Sequence, residues 1–249
     1  MKARIHKLLL LLIFPCLANC EDKKEPPPVR TDLQLSDHPR AAEAANRVRP
    51  QLEQDLGAAG LRLGDPIFLR AFKEENIVEV HVRNETSGKY DLFRTYKVAA
   101  SSGTLGPKLA EGDGQVPEGF YYVPLGSMNP QSQFHLAFNI GYPNAFDRFH
   151  QRTGSLIMIH GNQVSLGCLA MTDPKIEEIF TMADAALRNG QPFFRVHLFP
   201  FRMTDERMEQ ASGSPHLEFW KNLREGHDLF EKNRVPPEVE VTEGRYTFK

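Results

Sequence analysis

The stretch SLIMIHGNQVSLGCLAM, residues 155–171, joins an apolar segment with strand character to a short turn that carries two reactive side chains. His160 ends the apolar segment, and Cys168 follows eight residues later, directly after Gly167. A tight turn over this spacing would bring the imidazole near the thiol. A neighbouring histidine can take the proton of a thiol and lower its pKa from about 8.5, which gives a thiolate that attacks carbonyl groups.

The backbone beside the cysteine fits the same chemistry. Gly167 has no side chain, so a carbonyl group can approach the chain there, and the N–H groups of Gly167 and Cys168 could form an oxyanion hole. The structural alternative is that Cys168 is a small buried apolar residue and His160 a hydrogen-bonded core histidine, which the spacing of an ordinary His–Cys pair favours. A zinc site is disfavoured, because His150, His160 and Cys168 lack a recognised ligand spacing and a fourth ligand.

The N-terminus predicts export from the cytoplasm. Residues 1–7 carry three basic side chains, and Leu8–Phe14 is an apolar run too short to span a membrane comfortably, so residues 1–20 are predicted to be a signal peptide. The segment Leu17-Ala18-Asn19-Cys20 resembles a lipobox, in which Cys20 would be acylated. Ordinary cleavage near Cys20 and an uncleaved anchor are the alternatives. All three place the body of the protein outside the cytoplasm, and the expected location is the periplasm.

Cys168 is then the only thiol of the folded body, since Cys16 and Cys20 belong to the signal region. It has no partner for a structural disulfide. An unpaired cysteine in an exported protein risks oxidation, so it is expected to be either inert in a core or used as a nucleophile. A catalytic thiol should be alkylated at a pH well below the one that a free cysteine needs, whereas a buried thiol should not react.

The composition is that of an ordinary globular protein. The 249 residues are 41% hydrophobic and 25% charged, which leaves room for one catalytic domain with modest extensions. The formal net charge of -2 differs from the strongly basic surface of a nucleic-acid-binding protein, so nucleic acid is not an expected partner.

The chain divides into five predicted segments. After the signal peptide, the charged and proline-rich residues 21–40 are expected to be a flexible tether, residues 41–64 an N-terminal helix, residues 65–202 the catalytic domain, and residues 203–249 a C-terminal extension. Within the catalytic domain, β-rich segments predict strands at Ile67–Phe72, Ile77–Val82, Tyr90–Val98, Phe120–Val123, Phe134–Ile140, Ser155–His160 and Phe193–Phe199, with a long loop over Ser101–Gly119.

Helices are predicted after the site and near the C-terminus. An apolar stripe predicts one long helix that begins near Asp173-Pro174, with Asp173 as its cap, and ends before Gly190. A charged helix from Pro215, which contains Trp220, and a terminal hairpin follow. These patterns predict an α+β fold, a mostly antiparallel β-sandwich with one long packed helix and short helical extensions at both ends.

The motif around the cysteine resembles that of a known family. The run from Ile159-His160-Gly161 to Ser165-Leu166-Gly167-Cys168-Leu169-Ala170-Met171 is similar to the active-site signature of the YkuD-domain L,D-transpeptidases, bacterial enzymes that act on peptidoglycan stem peptides. Upstream, Gly106-Pro107-Lys108, Gly112-Asp113-Gly114 and Pro117–Tyr121 are similar to the family segment that ends in Thr-Pro-x-Gly. The resemblance spans about residues 67–201, and the segment Phe199–Thr204 resembles the YafK-like branch.

The resemblance implies a role for each residue of the motif. Cys168 would be the nucleophile, His160 its base, Gly167 and Cys168 the oxyanion backbone, and Ser165 a residue that shapes the loop. Neither a metal nor an organic cofactor is implied. Most family members have a second histidine where this chain has Leu166, and their first histidine lies further upstream than His160.

The missing second histidine and the short spacing between His160 and Cys168 are both similar to features of the YafK-like branch. Members of this branch are associated with hydrolysis rather than cross-linking. The reaction that this implies is attack on the carbonyl at the L-centre of meso-diaminopimelate, with release of a Braun-type outer-membrane lipoprotein attached through its C-terminal lysine. Two alternatives stay open. One is a true L,D-transpeptidase that forms 3–3 cross-links or attaches the lipoprotein, and the other is a cell-wall-binding module without catalysis.

Four further residues are candidates for contact with the stem peptide. Tyr142 and Arg148 lie in a polar loop before the His160 strand, where they could meet the substrate or close the fold, and the planar fork of Arg148 suits a carboxylate. Asp113 is explained most simply as a turn residue and otherwise as a substrate contact. Gly161, directly after the histidine, is the fourth candidate.

Overall fold

A computed structural model describes residues 26–249. The predicted signal peptide, Cys16, Cys20 and the first five residues of the predicted tether lie outside this part of the chain. No helix among the described residues is both long and apolar enough to cross a membrane.

The described chain contains five helices and eleven strands. The helices are α1 Pro39–Ala58, α2 Ala145–Phe149, α3 Asp173–Arg188, α4 Asp205–Gln210 and α5 Leu217–Asn233, with one 3₁₀ turn at Leu125–Ser127. The strands are β1 Ile67–Phe72, β2 Ile77–Arg83, β3 Tyr90–Lys97, β4 Gly119–Pro124, β5 Met128–Asn129, β6 Ala137–Asn139, β7 Met158–His160, β8 Leu169–Ala170, β9 Phe193–Phe199, β10 Val239–Thr242 and β11 Arg245–Phe248.

The strands form two main sheets and a C-terminal hairpin. One sheet has the order β3-β2-β1-β9-β4, the other β5-β6-β7-β8, and β10 pairs with β11. Among the described strands only the β1–β9 and β7–β8 pairs are parallel. The predicted α+β, mostly antiparallel architecture is therefore confirmed.

The central strands are buried on both faces, which explains their nearly continuous apolar sequences. One face of β1 and β9 contributes Leu69 and Val196 to a core that also contains Ile179 of α3. On the opposite face, the ring of Phe68 packs 4.8 Å from that of Phe230 in α5. Helices thus cover the larger sheet from both sides, and the smaller sheet carries the His160 strand.

Two predicted strands are shorter in the structure than in the sequence pattern. The segment Phe134–Ile140 forms a strand only over Ala137–Asn139, because His135 has a φ of 68°. The segment Ser155–His160 forms one only over Met158–His160, because Leu156 has a φ of 54°. A left-handed residue breaks the extended backbone, and a side-chain pattern does not reveal it.

The ends of the chain depart from the expected extensions. Helix α1 has 20 residues and α5 has 17, so both exceed the 16 residues of α3, which was expected to be the one long helix. Part of the expected tether also packs on the domain: the Ser36 N–H donates to Asp184 at 2.6 Å, and Leu33 contacts the core. Leu33 and Leu35, which stand among polar residues of this segment, account for its packing against the core.

Candidate active site

His160 lies at the end of β7, buried between neighbouring strands with 2% of its surface exposed. Its backbone pairs with Ala137 of β6 on one side and with Ala170 of β8 on the other. The imidazole ring is tilted against the ring of Phe134, with the ring centres 4.8 Å apart, and its Nδ1–H donates to the carbonyl of Gly161 at 2.6 Å. This bond commits Nδ1 and leaves Nε2 as the nitrogen that can accept a proton.

Gly161 holds the histidine in place rather than meeting solvent. It is buried, and its N–H donates to the carbonyl of Leu136 at 3.0 Å. A Cβ built at this position would lie 2.6 Å from the carboxylate of Asp173 and 2.8 Å from the carbonyl of Phe134. The glycine that was a candidate substrate contact is therefore a packing requirement of the His160 turn.

Asp173 stabilises the same turn from the start of α3. The sequence predicts that it caps this helix, but no side-chain bond caps α3, and the Asp173 Oδ1 instead accepts the N–H of Asn162 at 2.7 Å. The carboxylate thus joins the helix to the loop between the histidine and the cysteine. The position of this carboxylate beside the loop explains the limited space at Gly161.

Replacing Gly161 by alanine is expected to destabilise the protein by about 1–3 kcal/mol, because the added methyl group must displace a carboxylate and a backbone carbonyl. Gly126 is a matched control, since a Cβ there meets no atom within 4 Å. Urea unfolding of both variants checks the expectation. Equal stability of Gly161→Ala and Gly126→Ala would show that the turn has room to adapt.

Cys168 lies just before β8, level with Met158 in the β7–β8 register and two positions from His160. Its Sγ accepts the N–H of Met158 at 3.3 Å, and its S–H donates to the carbonyl of Leu156 at 3.7 Å. Among the described residues no hydrogen bond joins the thiol to His160. The thiol is turned toward the backbone of the segment that precedes His160.

The charge states of the pair are set mainly by burial. Burial raises the pKa of the Cys168 thiol, and the Met158 N–H and the charge of Lys108 offset this only in part. Burial lowers the pKa of His160, and the bond to Gly161 offsets this only in part. The free protein therefore holds a neutral thiol and a neutral imidazole, and the expected low-pKa thiolate is wrong for this state, because desolvation outweighs the nearby charges.

Alkylation of Cys168 by iodoacetamide is expected to accelerate only above about pH 8.5, because the thiolate is the reactive form and its pKa lies above the ordinary value. The measurement is the alkylation rate as a function of pH, beside that of a short unstructured cysteine peptide. A midpoint below pH 7 would contradict the neutral pair and would indicate a thiolate already formed beside His160.

Gly167 adopts a left-handed backbone, with a φ of 78°, and is buried. Its N–H donates to the hydroxyl of Ser102 at 2.7 Å, and that hydroxyl donates to the carbonyl of Gly114 at 2.6 Å. The N–H that was expected to line an oxyanion hole is therefore already bonded in the free protein. In the described residues the Cys168 N–H has no acceptor, so this half of the expected pair is available.

Ser165 lies in the loop between His160 and Cys168, where the resemblance places it. Its hydroxyl is buried and has no hydrogen-bond partner among the described residues. The loop is held through other atoms, including the Asn162 carbonyl, which accepts the Thr172 N–H at 2.9 Å. Any shaping of the loop by Ser165 thus comes from packing and not from a hydrogen bond.

Asp113 organises the loop that faces the cysteine. Its two carboxylate oxygens accept the N–H groups of Leu109, Ala110 and Gln115 and the ammonium of Lys108, which lies 2.6 Å away. Burial alone would raise the pKa of Asp113, but these donors lower it to about 2. The structure therefore favours the turn interpretation over a substrate contact.

The polar groups of Tyr142 and Arg148 bond to backbone carbonyls of nearby loops. Tyr142 is buried, and its hydroxyl donates to the carbonyls of Lys108 and Thr153. Arg148 is exposed on α2 and donates to the carbonyl of Pro143 in its own loop. In the free protein both side chains make contacts that close the fold, which is one of the two expected roles, and contact with a stem peptide stays a prediction.

Two residues of the site have no role in the sequence prediction. Ser102 reaches Gly167 across 65 positions of sequence, and Lys108 is a buried cation close enough to the thiol to lower its pKa. The Gly106-Pro107-Lys108 motif lies in the predicted loop Ser101–Gly119, but the motif does not indicate that Lys108 affects the pKa of the Cys168 thiol. Among residues 26–249 no three histidine, cysteine or acidic side chains are grouped as a metal site would require.

Comparisons with known proteins identify the family of this domain. Residues 73–197 match the family model YkuD, the L,D-transpeptidase catalytic domain. The chain is 45% identical over 184 residues to the Escherichia coli (strain K12) protein YafK, which carries an L,D-transpeptidase name, and the match covers 74% of each chain.

Solved structures of lower similarity were also found. The helical cell shape determining protein Pgp2 from Campylobacter jejuni is 18% identical, with 78% of this chain and 81% of that chain covered and a TM-score of 0.43. Bd1075 from Bdellovibrio bacteriovorus is 17% identical, with coverages of 72% and 78% and a TM-score of 0.39. From the family model and the Escherichia coli relative, the chain belongs to the YkuD family of L,D-transpeptidase catalytic domains.

Proposed function

We propose that the protein is a cysteine-dependent acyl-transfer enzyme of peptidoglycan, and that it hydrolyses the bond between a stem peptide and a covalently attached outer-membrane lipoprotein. The observation that carries the proposal is the register of the parallel β7–β8 pair, which places His160 at the end of β7 and Cys168 directly before β8, two positions apart. A proton acceptor and a thiol in this arrangement suit nucleophilic attack on an amide carbonyl.

The first half of the reaction forms a thioester. Cys168 Sγ attacks the carbonyl carbon at the L-centre of meso-diaminopimelate, and the thiol proton passes to Nε2 of His160. The tetrahedral intermediate then collapses, the C–N bond breaks, and the leaving amine takes the proton from His160. A neutral thiol and a neutral imidazole are the correct starting states for this transfer.

The second half depends on which nucleophile attacks the thioester. Water gives hydrolysis, and a second diaminopimelate amine gives a cross-link. The seven residues from Gly161 to Gly167 carry no charged side chain, so this loop offers no carboxylate to hold a cationic acceptor amine. Leu166, which is 77% exposed, stands where most family members have a histidine. Both features support water as the acceptor.

The lipoprotein partner and the cellular location are part of the same proposal. The lipoprotein follows from the resemblance to the YafK-like branch, and placement in the periplasm follows from the predicted signal peptide in residues 1–20. Stem peptides attached to an outer-membrane lipoprotein occur in the compartment to which this leader would direct the chain.

Digestion of lipoprotein-bearing sacculi tests the proposal, with Cys168→Ala as the control and mass spectrometry of the released muropeptides as the measurement. Tripeptide stems freed of the lipoprotein lysine, absent with the variant, are the expected products. New 3–3 dimers that have lost D-alanine would instead establish the transpeptidase alternative. Sacculi that bind both proteins equally and stay unchanged would establish a binding module.

A further inference from the structure

The hydroxyl of Ser102 occupies an unusual position beside the cysteine loop. It accepts the Gly167 N–H at 2.7 Å and donates its own proton to the Gly114 carbonyl at 2.6 Å. Ser102 is only partly buried, and the cavity of about 370 Å³ that it lines lies beside Lys73 and Asn76, with neither Cys168 nor His160 in its lining. The hydroxyl thus contacts the residue that precedes the nucleophile.

An acyl-transfer site needs donors for the oxyanion that develops during attack. The Cys168 N–H is available, because it has no acceptor in the part of the chain that the structure describes. The Gly167 N–H is bonded to Ser102, so it cannot serve without breaking that contact. The Ser102 proton is the movable one, since a hydroxyl rotates about its C–O bond whereas a backbone N–H is fixed.

We propose that Ser102 is a catalytic residue whose hydroxyl turns from the Gly114 carbonyl to the oxyanion and, together with the Cys168 N–H, stabilises it. The Gly167 N–H remains a donor to the Ser102 oxygen throughout, and it polarises the Ser102 O–H bond. This inference rests on Cys168 acting as the nucleophile of the proposed function, but not on the identity of the natural substrate.

The electron and proton balance of the step is simple. As the S–C bond forms, the carbonyl π electrons move to oxygen, and the thiol proton passes to His160. The Ser102 proton stays covalently bound and only changes its acceptor, from the Gly114 carbonyl to the oxyanion. When the C–N bond breaks and the carbonyl re-forms, the hydroxyl returns to Gly114.

The loop that carries Ser102 does not depend on this hydroxyl for its shape. Asp113 binds three of its N–H groups and Lys108. The ammonium of Lys73 donates to the carbonyls of Gly106 and Val116, and Glu118 accepts the indole N–H of Trp220 at 2.7 Å. Removing one hydroxyl should therefore leave the loop in place.

The test compares two reactions of Cys168 in the full mature protein. A p-nitrophenyl ester acylates the thiol through an oxyanion, whereas iodoacetamide alkylates it without one. Ser102→Ala should slow acylation about 100-fold, as the loss of one oxyanion donor does in other acyl-transfer enzymes, and should leave the alkylation rate unchanged. Ser102→Thr, which keeps a hydroxyl, should recover most of the acylation rate.

Ser101→Ala is the matched control, because the Ser101 hydroxyl bonds to Asn76 at 3.1 Å and does not contact Gly167. Ser102→Ala that acylates as fast as Ser101→Ala, slows both reactions of Cys168 equally, or is not recovered by threonine would overturn the proposal. Unchanged sacculi together with Ser102-dependent ester acylation would refute the proposed function and leave this inference standing.

Discussion

Cys168→Ala is expected to reduce stem-peptide cleavage by about 10,000-fold or more, to the level of the uncatalysed reaction. In the proposed mechanism the Cys168 thiol forms a thioester, and an alanine methyl group cannot form it. Cys168→Ser should be nearly as inactive, because the burial that already raises the pKa of the thiol would leave the far less acidic serine hydroxyl protonated.

Cys168→Ala should leave the fold intact. Cys168 is only partly buried, and its hydrogen bonds to Met158 and Leu156 involve sulfur at 3.3 and 3.7 Å. The thermal midpoint of Cys168→Ala should therefore stay within a few degrees of that of the parent protein. Measuring product release and the melting curve on one preparation separates chemistry from folding, and undiminished release would remove Cys168 from the mechanism.

His160→Gln is expected to lower kcat/KM for stem-peptide cleavage by about 100- to 10,000-fold, the usual contribution of a general base. Glutamine keeps a polar side chain of similar length but cannot accept the thiol proton at Nε2. His150→Gln is the matched control, because His150 is exposed and bonds to the carbonyl of Gly244 on the C-terminal hairpin. The control should retain full activity.

The pH dependence of the unsubstituted protein gives a second test of the base. Burial lowers the pKa of His160, so the neutral, proton-accepting imidazole persists below pH 6.5, and activity should fall only at more acidic pH. His160→Gln should abolish this acid limb of kcat/KM. Loss of activity that begins well above pH 7, or an acid limb that persists in His160→Gln, would assign the titration to another group.

The parts of the fold that the sequence predicts well are those set by local patterns. The strand Ile67–Phe72 has the predicted bounds, and helix α3 begins at the predicted Asp173, because alternating and helical apolar spacing reports which face is buried. One short motif also contains both His160 and Cys168, and the β7–β8 register places them two positions apart, while their catalytic roles stay a prediction.

The features of the site that the sequence does not predict depend on contacts between distant segments of the chain. Ser102 meets Gly167 across 65 positions, and no local pattern of either segment indicates that contact. Tyr142 has the polar neighbours of a surface residue, yet its ring is buried under Lys108 and Thr153. The sequence also does not predict the protonation state of Cys168, because the neutral thiol follows from the extent of burial and not from the presence of a histidine.

The most direct test of the central claim is the mass of the intact protein after rapid mixing with a diaminopimelate-containing stem peptide and acid quenching. The claim predicts a transient gain equal to the acyl part of the stem peptide, located on the fragment that contains Cys168 and lost as product appears. Undiminished product from protein whose Cys168 had first been fully alkylated would contradict it.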